Sequence, residues 1–244
     1  LDANTTGSDN TGLGHNSLGA NTTASNNTGV GHGSLESNTT GASNVAVGQA
    51  ALAANTTANN NTAVGKSAMT ANTTGEENVA LGFAALDANT TGNQNVALGR
   101  SALTANTTAS DNIAVGYGAM DSNTTGTRNI AIGSAAYDHS DTENDNMAIG
   151  YNAMTENTAG GTKNVAIGNY ALDAHTSGDD NTAVGYISLS ANTTGSNNTA
   201  LGSWSLTANT TGVSNTAVGV DSMDSNTDGN YNVAVGHDAL QANT

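Results

Sequence analysis

The chain has 244 residues, is 36% hydrophobic and only 3% aromatic, and carries a formal net charge of −16 from 20 acidic and four basic side chains. So few cations exclude binding to a phosphate backbone or to an anionic membrane surface, both of which need Lys and Arg. The absence of cysteine excludes disulfides and thiolate metal sites, and no stretch reads as a membrane-crossing helix.

From the N-terminus onward a glycine recurs every 17 residues, at Gly14, Gly31, Gly48, Gly65, Gly82, Gly99, Gly116, Gly133 and Gly150. One inserted residue near 160–162 shifts the phase, and the series resumes at Gly168, Gly185, Gly202, Gly219 and Gly236. Fourteen copies fill the chain, which reads as a single solenoid domain over 1–244, each copy contacting mainly its neighbours. Low hydrophobicity with much Asn, Thr and Gly would ordinarily indicate disorder. A disordered chain, however, has no use for an aliphatic residue at the same place in fourteen copies out of fourteen. The absence of proline suits continuous strand ladders, since proline removes a donor.

The averaged unit is Asn-Val-Ala-Leu-Gly-x-x-Ala-Leu-x-Ala-Asn-Thr-Thr-Gly-x-x, with slots counted from its first Asn. Slot one is Asn in every copy: Asn10, Asn27, Asn44, Asn61, Asn78, Asn95, Asn112, Asn129, Asn146, Asn164, Asn181, Asn198, Asn215 and Asn232. Slots two to four predict a short strand, with the second and fourth residues on one face and the third, always Ala or Gly, on the other. One face is expected to line the coil interior. The other, with its small third residue, is expected to be approached closely by a second layer or a neighbouring chain.

The slot-five glycine and the two variable residues after it read as a corner. Slots eight to eleven predict a second strand, with slot nine Leu or Met in every copy except Tyr137. A helix there is excluded by length, because so few residues between turn signals do not sustain one. Asn-Thr-Thr-Gly closes the coil as a broad second corner. The fold class is therefore all-β: a parallel β-solenoid, or β-roll, of about fourteen 17-residue coils with two short strands each.

Asn-Val-Ala-Val-Gly-x-x-Ala, at Asn44–Ala51 and again at Asn232–Ala239, resembles the head repeat of trimeric autotransporter adhesins, the YadA-like head. The longer form at Asn181–Gly195 is similar to repeats of phage tail-fibre and related surface proteins. The resemblance covers the whole chain, although the adhesin repeat is shorter and the Asn-Thr-Thr-Gly corner here is longer. It implies left-handed parallel β-rolls, association as trimers, and a role in surface attachment or fibre construction. It transfers no receptor-binding residue.

Several residues invite chemistry. The slot-one Asn column reads as a structural amide ladder. Asn-x-Thr, the glycosylation acceptor pattern, occurs at Asn4, Asn21, Asn38, Asn55, Asn72, Asn89, Asn106, Asn123, Asn192 and Asn209; without modification it is simply a turn. Adjacent threonines such as Thr73-Thr74 point apart on a strand, which argues against a flat ice-binding face. The irregular segment 137–146 concentrates Asp138, Asp141, Glu143 and Asp145, a set that calcium would suit, with a solvated acidic loop as the competing reading.

Slot six holds His15, His32, Lys66, Phe83, Arg100, Tyr117, Tyr151, Tyr186 and His237, and slot seven holds Tyr170 and Trp204. These read as a contact strip for a glycan or a neighbouring chain, or as isolated exposed rings. No Ser/His/Asp set, phosphate loop or His-rich metal spacing is present, so the chain reads as a non-enzyme.

The functional expectation is a structural or adhesive segment of an extracellular fibre, on a cell surface or a virion. Its partners are copies of itself, as a homotrimer or as an end-to-end filament, with a cell-surface or glycan receptor beyond these. No nucleic acid and no membrane insertion are expected. The filament reading rests on the ends, Leu1-Asp2-Ala3-Asn4-Thr5 and Leu240-Gln241-Ala242-Asn243-Thr244, which share one phase and look uncapped, as in a piece of a longer fibre. An ice-binding or glycan-binding solenoid is the remaining alternative.

Overall fold

A computed structural model describes residues 1–242; Asn243 and Thr244 of the matching terminal phase lie outside the described residues. The chain forms two compact units, Leu1–Thr125 and Gly126–Thr244. The first contains β1 (Thr11–Leu13), β2 (Thr28–Val30), β3 (Val45–Val47), β4 (Thr62–Val64), β5 (Val79–Leu81), β6 (Val96–Leu98) and β7 (Ile113–Val115). The second contains β8 (Ile130–Ile132), β9 (Met147–Ile149), β10 (Val165–Ile167), β11 (Thr182–Val184), β12 (Thr199–Leu201), β13 (Thr216–Val218) and β14 (Val233–Val235). Among the described residues there is no helix, and within each unit the strands run parallel in chain order. The protein is an all-β parallel solenoid.

Register is set slot against slot. Val45 pairs with Thr62, Ala46 with Ala63 and Val47 with Val64; in the second unit Val165 pairs with Thr182, Ala166 with Ala183 and Ile167 with Val184. The inserted residue does not disturb this, since Val165 still faces Met147. The corner absorbs it instead. Asn157 Nδ2 donates to Gly161 O four residues on, where regular repeats span three, as Asn72 does to Gly75 O.

Two expectations are corrected. First, slots eight to eleven are not a strand. Slots seven and nine adopt left-handed backbone angles, for example φ 52° at Ala84 and 53° at Leu86, which no β-strand tolerates. The segment is a pair of turns, closed by Ala85 N–H to Gly82 O at 3.4 Å and Asn89 N–H to Leu86 O at 3.4 Å. It is still laddered to the next coil, through Leu86 N–H to Ala102 O and Ala88 N–H to Thr104 O.

Second, the interior face of the strand is the one carrying slot three. Ala46, Ala63 and Ala80 are fully buried, while Val79 and Leu81 beside them are 36% and 52% exposed. What approaches the small residue closely is the turn pair of the same roll. A Cβ on Gly29 would meet Ser17 Oγ, Ser34 Oγ and Leu18 Cγ. The core is accordingly thin: slot-three Ala, slot-eight Ala or Ser, slot-nine Leu or Met, and Asn from slots one and twelve.

The slot-five glycine is required twice over. Its φ lies between 129° and 142° throughout the series, and at Gly14 an added Cβ would stand 2.6 Å from the carbonyl oxygen of Gly31 in the next coil.

Candidate functional site

The slot-one asparagines form a continuous internal ladder within each unit. Asn61 Nδ2 crosses the coil to Gly75 O at 2.8 Å, and its Oδ1 accepts the N–H of Asn78 at 2.9 Å. A second ladder, at slot twelve, consists of the residues that carry the glycosylation pattern. Asn72 Nδ2 donates to Asn55 Oδ1 at 3.2 Å and to Gly75 O at 3.0 Å. Asn21, Asn38, Asn55, Asn72, Asn89, Asn106, Asn123, Asn192 and Asn209 are all fully buried. A sugar on any of those nitrogens is incompatible with the folded coil. Asn4 alone of the set is exposed, with Nδ2 donating to Gly7 O. Thr73 and Thr74 lie in a bend and not on a strand; Thr73 Oγ1 bonds Thr90 O, while Thr74 is exposed.

His175 takes slot twelve in one repeat. Its Nε2 lies 2.7 Å from Gly178 O and its Nδ1 lies 3.2 Å from Asn192 Nδ2, so the ring substitutes for an amide in both directions. It has no second donor for the preceding coil, and Asn157 Oδ1 is left buried without a partner. Burial pushes the imidazole below the usual histidine range, against weaker opposing contributions from Gly178, Asn192 and Asp179.

The irregular segment is a second variation on the ladder. Ser140 stands at slot twelve and bonds Tyr137 O, too short a side chain to accept from the next coil. Tyr137 supplies the acceptor instead, its hydroxyl receiving Asn157 Nδ2 at 3.1 Å and Asn146 Nδ2 at 2.7 Å. Burial raises the Tyr137 hydroxyl above its ordinary range, and the Glu143 carboxylate adds to this.

The four acidic residues singled out there are not brought together around a common centre. Glu143 turns inward and accepts the N–H groups of Asp141, Thr142 and Gly160. Asp145 is held by Arg128 at 2.6 and 2.9 Å, and that hydrogen-bonded pair lowers its pKa. Asp138 sits 3.9 Å from His139 Nε2, and Asp141 is exposed. Among the described residues the set of His, Asp and Glu donors that does converge within 4.8 Å is Asp221, His237 and Asp238, where His237 is already engaged by Asp238 at 2.8 Å.

Two outer surfaces remain. One is the corner at slots six and seven. In the first unit His15 and His32 stack at 5.2 Å, and the Arg100 guanidinium lies 5.8 Å from the Phe83 ring centre and 5.7 Å from that of Tyr117. In the second unit Tyr151, Tyr170, Tyr186 and Trp204 form an unbroken edge-to-face series at 5.4, 6.4 and 5.7 Å. The residue types at these slots were visible in the sequence; their contact across successive coils was not, because the rings alternate between slot six and slot seven.

The other surface is the outer face of each strand ladder, where slots two and four project. Slot four is Val, Leu or Ile in every repeat although it is nowhere buried: nine of these residues are partly exposed and Leu13, Leu81, Ile132, Leu201 and Val235 are exposed. Sequence reasoning placed these side chains inside. No known protein family, curated protein or solved structure matches the chain.

Proposed function

We propose that this chain is a structural segment of an extracellular fibre, built by association of copies through the outer faces of their strand ladders. The observation that carries the reading is the exposed aliphatic face. Isolated exposed apolar residues are ordinary, but a contiguous, partly to well exposed stripe of Val, Leu, Ile, Met and Thr suits an association surface. In the first unit it runs from Thr28 and Val30 to Ile113 and Val115, and in the second from Ile130 and Ile132 to Thr216 and Val218.

The resemblance to YadA-like heads favours three chains. The function is mechanical: parallel ladders give stiffness, and internal amide ladders hold each coil in register. Adhesion and surface display follow from projecting such a segment. The chain mass is 24.0 kDa, so light scattering of a trimer reads about three times that value. A mass that grows with concentration supports an end-to-end filament instead, and a monomer at all concentrations overturns lateral assembly.

A further inference from the structure

We infer that the corner strip of Tyr151, Tyr170, Tyr186 and Trp204 binds a neutral glycan chain laid along successive coils of the second unit. Three observations carry this. The rings are continuous, with one on each of four consecutive repeats at centroid separations of 5.4, 6.4 and 5.7 Å. Three of the four are also open: Tyr151, Tyr186 and Trp204 remain 47%, 46% and 42% exposed in spite of touching their neighbours, while Tyr170 between them is partly covered. A periodic row of open rings suits a periodic ligand, whose successive units each find one ring, at the pitch of about 4.8 Å set by stacked parallel strands.

The third observation is that the other corner slot is polar in three of the four repeats, Ile187 being the exception. Where slot six is aromatic, slot seven is Asn152 or Ile187; where slot seven is aromatic, slot six is Asn169 or Ser203. Asn169 is exposed, and its Oδ1 accepts the Tyr151 N–H at 2.9 Å, which orients the amide beside the strip. A hexose needs this combination. Its C–H face packs on the electron-rich face of a ring, and its hydroxyls need amide and hydroxyl partners beside that ring.

Charge decides against the other repeating ligands. Single-stranded nucleic acid also stacks on aromatic rows, but only within a cationic groove. The corner slots of these four repeats contain no Lys or Arg, and the chain carries a net charge of −16. Sulfated or uronate-bearing glycans are disfavoured for the same reason.

Trp204 is the single tryptophan of the chain and reports on the strip directly. The full chain is titrated with five neutral hexasaccharides, the β-1,4-glucan, β-1,4-N-acetylglucosamine, α-1,4-glucan, β-1,3-glucan and β-1,4-mannan hexamers, while Trp204 emission is followed. A saturable change with at least one of them is expected. Tyr170→Ala and Tyr186→Ala are expected to weaken it about tenfold, the equivalent of about 1.4 kcal/mol, with circular dichroism unchanged. Tyr117→Ala, on the corner of the first unit, is expected to leave it unaltered. No saturable change with any of the five overturns the inference, as does binding that survives both strip substitutions. Neither result bears on assembly through the strand faces, which involves different side chains.

Discussion

At slot twelve of one repeat a buried ring stands where the amide ladder needs both a donor and an acceptor. His175 supplies them only as the neutral Nε2–H tautomer, donating to Gly178 O and accepting from Asn192 Nδ2. Protonation would set a second N–H against an amide donor in a site with no exposure. The pKa is lowered in the folded chain, so the unfolded chain binds the proton more readily. The stability this represents is intact above the ordinary histidine value of about 6.5 and is lost as pH falls through that value toward the lower folded one. The melting temperature is therefore expected to fall between about pH 7 and about pH 5. His175→Asn restores the regular amide, whose Nδ2 reaches Asn157 Oδ1. It is expected to remove His175's part of that fall and to stabilise the chain at neutral pH by about 1 kcal/mol. Melts by circular dichroism at both pH values check this; equal slopes in the two proteins would count against it.

The coil as an element shows which features a sequence can reveal. The slot-five glycine was legible, because only glycine accepts φ near 135° with a carbonyl packed against its Cα, and its periodic recurrence announces the corner. Gly31→Ala should then break the stack locally, since the new Cβ would stand 2.5 Å from Gly48 O. A cost of at least about 1–3 kcal/mol is expected for the strained angle alone, with loss of hydrogen-exchange protection centred on the repeats beside it. Protection lost evenly along the chain would contradict this. Slot nine was not legible. Leu86 in a left-handed conformation looks no different in sequence from Leu86 in a strand, and the carbonyl that accepts its N–H lies one coil away, at Ala102. The period of two did separate Val79 and Leu81 from Ala80, but alternation alone does not say which face is inside. That was settled by the turn pair, whose close approach accepts a methyl and nothing larger. The slot-twelve asparagines were open to two readings, an acceptor sequon or a simple turn, and neither named the ladder, because a sequon and a buried ladder rung have the same letters.

For the whole molecule, charge and the aliphatic face pull in opposite directions. A net charge of −16 keeps copies apart at long range, whereas burial of Val, Leu and Ile favours contact at short range. Screening falls within about 10 Å at 0.1 M salt, so raising ionic strength is expected to strengthen assembly, the reverse of what a salt-bridged interface would do. The decisive variant lies on the exposed face of β5. Leu81 is 52% exposed, so Leu81→Glu removes little from the isolated chain, and a change within about 0.5 kcal/mol is expected in its melting under dissociating conditions. In an assembly the same carboxylate would be buried without a partner against an apolar neighbour, a cost of several kcal/mol. Light scattering should therefore show the variant at the 24.0 kDa of a single chain, at concentrations where the parent chain is associated. If the variant keeps the parent's mass and salt response, the strand faces are not the contact and the copies must meet elsewhere. If it dissociates while its melt is unchanged, the exposed aliphatic slots hold the fibre together and owe their uniformity to that contact, not to the fold of the single chain.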